Sequence, residues 1–144
     1  MARITEIRGN LFESTTQTLV NTVNCYGVMG KGIALEFKNR FPEMYSIYSD
    51  YCDQKIIQPG ILQIWNKSNP WILNFPTKKH WRNPSKIEYI ESGLKKFAEN
   101  YLEKGISSIA FPQLGCSLGG LQWENEVKPL MYQHLEPLKN LDVE

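Results

Sequence analysis

The sequence lacks the features of a membrane-spanning or secreted protein. No run of about 18 or more apolar residues occurs, so no segment is predicted to span a membrane. Residues 1–6 contain no apolar core of a signal peptide. The three cysteines form no C-x-x-C pair, which argues against a zinc site and against a disulfide framework: Cys25, Cys52 and Cys116. These absences favour a cytoplasmic protein that holds no metal.

An excess of charge of one sign is also missing. Sixteen Lys and Arg face fifteen Asp and Glu, which leaves a net charge of +1. No global field therefore draws the protein to DNA or to an anionic membrane, and any nucleic-acid contact must come from a local basic cluster. With 144 residues and ordinary globular composition, we expect one domain over residues 1–144, a monomer, with no cofactor.

Patterns typical of strands alternate with patterns typical of helices along the chain. This alternation predicts an α/β fold with a largely parallel central sheet. Strands are predicted at 3–8, 18–23, 61–65, 71–75 and 107–111, and helices from Ile33, from Pro42 to about Asp53, over 85–101 and over 127–138. The order Ser85-x-x-Glu88 matches a capping box and predicts that the Ser85 hydroxyl caps the third helix.

Two glycine-rich loops each follow a predicted strand. The first contains Gly27, Gly30 and Gly32, and the second runs from Pro112 to Gly120. Glycines let backbone N–H groups converge on an anion, and two such loops suggest a clamped diphosphate, although glycines that serve only tight turns explain the spacing equally well. The first loop matches neither the Rossmann pattern nor the G-K-[ST] of a P-loop, which weakens readings as a dinucleotide or ATP site.

The order of three motifs resembles the macrodomain family. They are the segment Val20-Asn-Thr-Val-Asn24, the segment Gly30-Lys-Gly-Ile-Ala34 and the segment Pro112-Gln-Leu-Gly-Cys116. The resemblance covers nearly the whole chain. It implies a three-layer α/β/α fold with a mixed, largely parallel central sheet. It also implies binding of ADP-ribose, which several macrodomains remove from modified molecules.

A further segment narrows the resemblance to macrodomains of the DarG type. Residues 74–82 read N-F-P-T-K-K-H-W-R and are similar to the N-F-P-T-K-x-H-W-R of that group, and residues 119–123 also fit. The resemblance implies a hydrolase that removes ADP-ribose from thymidine bases of single-stranded DNA and so reverses a DarT-type toxin. Because DarG proteins usually bind the toxin through a further C-terminal region, direct toxin binding by residues 1–144 stays open.

The resemblance assigns the ligand contacts residue by residue. Asn10 stands where many members have an aspartate that contacts adenine, and Leu11 adds a backbone donor. Asn21 and Asn24 occupy positions that orient the distal ribose, Asn21 with preference, although Asn side chains also cap loop backbones. The remaining predicted contacts lie in the strand at 18–23, in the two loops and the start of the first helix, and just after the strand at 71–75: Thr22, Val23, Gly30, Lys31, Gly32, Ile33, Ala34, Thr77, Gly115, Cys116, Ser117, Leu118 and Gly119.

Lys78 is the predicted catalytic residue, with Asn21 holding the ribose. From composition alone, Lys78 is expected to lie in a solvated basic turn. Its match to the lysine of related macrodomains favours a catalytic role instead. A neutral amine attacks C1″ of the sugar, and desolvation lowers a lysine pKa toward neutrality. Relatives that act on proteins pair this lysine with an aspartate in the second loop, whereas residues 115–121 here contain no carboxylate. Whether Lys78 is a nucleophile or a proton donor stays open.

The residues that follow Lys78 alternate cations with aromatic groups, as single-stranded DNA sites do. DNA contacts are accordingly predicted for Lys79, His80, Trp81 and Arg82, against the alternative that Trp81 packs on the sheet. Cys116 is interpreted as a small loop residue and not as a nucleophile. Two other functions stay open: a reader that binds ADP-ribose without cleaving it, and a glycohydrolase acting on ADP-ribosylated protein or on small ADP-ribose derivatives.

Overall fold

A six-stranded sheet forms the centre of the computed structural model, which describes residues 1–144. The strands lie in the order β1-β6-β5-β2-β4-β3, and β3 alone runs antiparallel to its neighbour. The predicted mixed, largely parallel sheet is therefore confirmed. The strand bounds are β1 Arg3–Ile4, β2 Thr18–Asn24, β3 Gln63–Trp65, β4 Trp71–Lys78, β5 Ser108–Ala110 and β6 Asp142–Val143.

Helices cover both faces of this sheet. Two hydrophobic clusters fill the interfaces, one of 15 buried residues under α3 and α4 and one of 10 under α1 and α2. This arrangement confirms the three-layer α/β/α fold. None of the helices combines the length and the hydropathy needed to cross a bilayer. The helices are α1 Gly32–Arg40, α2 Pro42–Asp53, α3 Ile87–Asn100 and α4 Lys128–Leu135, with a 3-10 turn at Leu11–Glu13 and a π-helical turn at Trp123–Val127.

Strand β2 lies in the middle of the sheet and is buried on both faces. Its alternate side chains divide between the two clusters, with Val20 packing under α3 and Leu19 and Val23 packing under α1 and α2. β2 pairs with β4 in parallel over seven residues, and the register shifts between Val23 and Asn24. Because parallel strands end at the same edge, Asn24 pairs with Lys78 at the carboxyl ends of the two strands.

Two local predictions differ from the structure, and one strand was not predicted at all. The first strand ends at Ile4 instead of Arg8, because the two-residue β6 pairs with Arg3 and Ile4 and accepts only one further hydrogen bond, from the Thr5 N–H. The pairing strand β6 was not predicted, since its two residues carry no periodic signal. The capping-box prediction is wrong: α3 begins at Ile87 after Lys86, and no side chain caps its N-terminus.

Gly93 on α3 provides a test of the packing between helix and sheet. A methyl group at this position would collide with the ring of the fully buried Phe75, although alanine favours helix over glycine by about 1 kcal/mol. We expect Gly93→Ala to lower the free energy of unfolding by about 1 to 2 kcal/mol, because the core is overpacked. Urea denaturation measures this, with the exposed Lys95→Ala on the same helix as the control. An unchanged or higher stability of Gly93→Ala would contradict the packing.

Candidate active site

The first glycine loop, residues 25–31, connects β2 to α1 and is folded around the side chain of Asn24. The Asn24 carbonyl oxygen accepts hydrogen bonds from the N–H groups of Tyr26, Gly27 and Val28 at 3.0 to 3.3 Å. Its amide nitrogen donates to the Val28 carbonyl at 2.7 Å. Asn24 thus caps the loop backbone, and its contact with the ribose stays a prediction.

Two tyrosines of α2 donate hydrogen bonds to main-chain carbonyls at the start of the same loop. The Tyr48 hydroxyl donates to the main-chain carbonyl of Asn24 at 2.6 Å, and the Tyr45 hydroxyl donates to the main-chain carbonyl of Gly27 at 3.0 Å. Sequence reasoning missed both residues. Their spacing of three places them on one helix face, but nothing in the sequence indicates which loop that face meets.

The second glycine loop, residues 112–120, follows β5 and curls back on itself. The Leu121 N–H donates to the Gly115 carbonyl at 2.9 Å. Gly115 adopts a φ of 70°, a left-handed backbone conformation that residues with a Cβ rarely adopt. From outside the loop, the Ser85 N–H donates to the Gly119 carbonyl at 2.9 Å. The segment before α3 therefore anchors this loop.

The two loops and strand β4 meet at Leu118. The Lys78 ammonium donates to the Leu118 carbonyl at 3.2 Å. A Cβ built on Gly32, at the start of α1, would lie 3.5 Å from the Leu118 side chain. The structure thus brings Lys78 together with both predicted phosphate loops, although these residues lie far apart in the sequence.

Burial alone shifts the titration of Lys78. Desolvation lowers the pKa of the Lys78 ammonium below its ordinary value, and no charged neighbour contributes to the shift. Burial has the opposite effect on the nearby thiols, because it raises the pKa of Cys116 and raises the pKa of Cys25 to about 12. Both cysteines are therefore protonated thiols near pH 7, which agrees with a loop role for Cys116 and not with a nucleophile.

Asn21 lies in the interior of the sheet. Its side chain is fully buried, and its amide nitrogen donates to the Asn74 side chain at 3.1 Å. Asn74 in turn donates to the Gln63 side chain at 2.9 Å, so a row of amides crosses β2, β4 and β3. The Asn21 carbonyl oxygen is left without a partner. A direct contact between Asn21 and a ribose stays a prediction. In this geometry Asn21 lies beside β4 and is hydrogen-bonded to Asn74.

The other predicted contact residues lie along the same edge of the sheet or just beneath it. Asn10 is exposed, and its side-chain oxygen accepts a hydrogen bond from the Phe12 N–H at 2.9 Å, which leaves its amide N–H groups free. Thr77 and Val23 are buried within the sheet. Exposed or half-buried positions hold Leu11, Thr22, Gly30, Lys31, Gly32, Ile33, Ala34 and Ser117.

A line of contacting aromatic rings, ended by one cation, extends from the first loop across the segment after Lys78. The Tyr26 ring lies 4.5 Å from the His80 ring, and His80 stacks on Trp81 at 5.4 Å. The Arg82 guanidinium lies 4.6 Å from the centre of the Trp81 ring. Tyr26 and Trp81 are exposed at 58% and 43%, so this surface is open to a ligand. Sequence reasoning named three of these residues and missed Tyr26, which comes from a different loop.

Two glycine loops at the carboxyl edge of a three-layer α/β/α fold, with a desolvated lysine between them, define the class of protein. A family model of the macro domain matches residues 20–130. The chain belongs to the macrodomain family, as its sequence motifs predicted.

Several characterised proteins resemble the chain closely. A DNA ADP-ribosyl glycohydrolase of Thermus aquaticus is 46% identical over 141 residues, which are 95% of this chain and 39% of that relative. The chain thus spans less than half the length of this curated relative. The solved macrodomain of Mycobacterium tuberculosis DarG is 42% identical and superimposes with a TM-score of 0.93, covering 99% of this chain and 96% of the other. Thermosipho africanus DarTG, solved in complex with ADP-ribose, is 40% identical with a TM-score of 0.90, covering 98% of this chain and 41% of the other.

The titration of Lys78 is directly measurable. We expect an NMR titration of ¹³Cε-labelled lysine to give a pKa for Lys78 below the ordinary 10.5, because burial penalises the charged ammonium. The folded state then binds this proton more weakly than the unfolded chain. The contribution of Lys78 to the free energy of unfolding consequently rises as pH increases from the folded pKa to the unfolded one. Lys78→Arg assigns the signal by removing it, and a midpoint at or above 10.5 would refute the burial argument.

Proposed function

We propose that this chain removes ADP-ribose from thymidine bases of single-stranded DNA and thereby reverses the action of a DarT-type toxin. The observation that carries the proposal is the 3.2 Å hydrogen bond from Lys78 to Leu118, which connects the end of β4 to the second glycine loop. The similarity to a DNA ADP-ribosyl glycohydrolase at 46% identity supports the same substrate. The partners of this reaction are ADP-ribose and ADP-ribosylated single-stranded DNA.

The glycine loops hold the diphosphate of ADP-ribose in this proposal. Their backbone N–H groups supply the hydrogen bonds, and α1 begins at Gly32 with free N–H groups that favour an anion. Leu118 reaches both Gly32 and Lys78, so a diphosphate lying between the loops presents its distal ribose near the ammonium. Adenine then extends toward Asn10 and Leu11, where Asn10 retains free amide N–H groups and a second carbonyl lone pair.

Lys78 acts on the bond between C1″ of the distal ribose and the thymine base. In one route the neutral amine attacks C1″ as the bond to the base breaks, and water then releases the sugar from the lysine. In the other route the ammonium donates its proton to the departing base while water attacks C1″. A lowered pKa helps both routes, because it increases the neutral fraction and makes the ammonium a stronger acid.

Asn21 supports this chemistry as a positioning residue. Its hydrogen bond to Asn74 joins β2 to β4 four residues before Lys78. Because the Asn21 side chain is fully buried, it acts on the ribose through the backbone of these strands.

The ring surface made by Tyr26, His80 and Trp81 receives the DNA strand. Bases stack on exposed aromatic rings without regard to sequence, and the adjacent cations Lys79 and Arg82 meet the phosphates. With a net charge of only +1, the rest of the chain adds little to DNA affinity.

Lys78→Ala tests the catalytic role. We expect this variant to lose at least about a hundred-fold in the rate of ADP-ribose release from an ADP-ribosylated thymidine oligonucleotide, while it binds ADP-ribose within a few-fold of the parent. Chromatography of released ADP-ribose measures the rate and calorimetry the affinity. Lys95→Ala is the control, because Lys95 is exposed on α3. Full activity of Lys78→Ala would remove Lys78 from the mechanism, and borohydride trapping of a covalent adduct separates the two routes.

Trp81→Ala tests the DNA surface. Loss of one stacked base costs about 1 to 3 kcal/mol, so we expect KM for the oligonucleotide to rise by about ten-fold while the affinity for free ADP-ribose is unchanged. Steady-state kinetics and calorimetry measure the two quantities. An unchanged KM would place the DNA strand elsewhere. The exposed Tyr51→Ala, on α2, is the aromatic control.

A second function is favoured by one observation. Residues 115–121 contain no carboxylate that would assist Lys78, which suits a module that binds ADP-ribose without cleaving it. Tight binding without release from either thymidine-linked DNA or glutamate-linked protein would select this function, and release from the protein alone would reassign the substrate.

A further inference from the structure

Ser85 places a buried hydroxyl against the second glycine loop. The residue is 5% exposed, and its hydroxyl oxygen has no hydrogen-bond partner. It is the only buried side-chain hydroxyl in the chain without one. A Cβ added at Gly115 would lie 3.3 Å from this oxygen, and one added at Gly119 would collide with it. The hydroxyl is therefore enclosed between Gly115 and Gly119.

The Ser85 hydroxyl makes no hydrogen bond that stabilises the fold. It does not cap α3, and the hydrogen bond from Ser85 to Gly119 uses the backbone N–H, which alanine would retain. Burying a hydroxyl without a partner is unfavourable, because its hydrogen bonds to water are lost. A serine at a position that alanine would fill as well indicates that its donor is used in another state of the loop.

Binding of an anion would create an acceptor for that donor. The peptide unit is planar and trans, so its N–H and C=O point in opposite directions. When loop N–H groups turn outward to a diphosphate, the carbonyls of the same peptides turn inward. Ser85 lies on that inner side, next to Gly115 and Gly119, whose lack of a Cβ leaves room for the rotation.

We propose that Ser85 is a positioning residue for anion binding: its hydroxyl donates a hydrogen bond to an inward-turned carbonyl of residues 115–119 when a diphosphate occupies the loop. The inference rests on the proposed function insofar as that function places a diphosphate in this loop. The same contact steadies Leu118, whose carbonyl accepts the hydrogen bond of Lys78. Ser85 thereby connects occupation of the loop to the placement of the lysine.

Ser85→Ala separates this role from a merely structural one. We expect the affinity for ADP-ribose, measured by calorimetry, to fall about ten-fold, the effect of losing one hydrogen bond. Affinity for adenosine, which has no phosphate and does not reach the loop, is expected to be unchanged in an NMR titration. Tm is expected to be equal to or above that of the parent, since an unpartnered buried hydroxyl is removed.

The exposed Ser46→Ala on α2 is the matched control, with parent affinity for both ligands. ADP-ribose affinity of Ser85→Ala within two-fold of the parent would overturn the proposal. A lower Tm with equal losses for ADP-ribose and adenosine would overturn it as well, because it would make Ser85 a packing residue. Failure of the parent protein to bind ADP-ribose would instead refute the proposed function, so the two failures are distinguishable.

Discussion

The parallel pairing of β2 with β4 is the constraint on which the site depends. It fixes Asn24 opposite Lys78 at the shared carboxyl edge, and the Cys25 N–H continues the pairing by donating to the Lys78 carbonyl at 3.0 Å. The first glycine loop leaves the sheet at this point, immediately beside the lysine. Both strands are buried, so their register cannot slip without turning core side chains to the wrong face. Lys78 is thus fixed by the core of the protein although the residue itself is only half-buried.

The two glycine loops are held in different ways. The first is bound from within by Asn24 and from below by Tyr45 and Tyr48. The second is held by its own main-chain hydrogen bond from Leu121 to Gly115, by the main-chain hydrogen bond from Ser85 to Gly119 and by the contact of the Lys78 ammonium with the Leu118 carbonyl. Side-chain amide and hydroxyl groups thus hold the first loop, whereas main-chain hydrogen bonds and one lysine hold the second.

Burial, and not a charged partner, lowers the pKa of Lys78. A carboxylate beside an ammonium raises its pKa, so the lack of an acidic group in residues 115–121 leaves desolvation unopposed. The same desolvation acts on the cysteines in the opposite direction, because it favours the neutral form of every group. The same physical effect therefore favours the neutral thiols of Cys25 and Cys116 and the neutral amine of Lys78.

The sequence by itself determined the layered α/β class, the two glycine loops and the macrodomain membership, because these depend on periodicity, turn chemistry and motif order along the chain. It also singled out Lys78, but only through the resemblance, since a lysine in a basic segment carries no signal of its own burial. Tertiary structure alone decided the pairing of β6, the burial of Asn21, the hydrogen bonds that Tyr45 and Tyr48 donate near the first loop, the tilted contact between the Tyr26 and His80 rings and the place of Ser85 beside the second loop. Each of these features depends on residues that lie apart in the chain. Local sequence patterns do not specify which surfaces pack against each other in the folded protein.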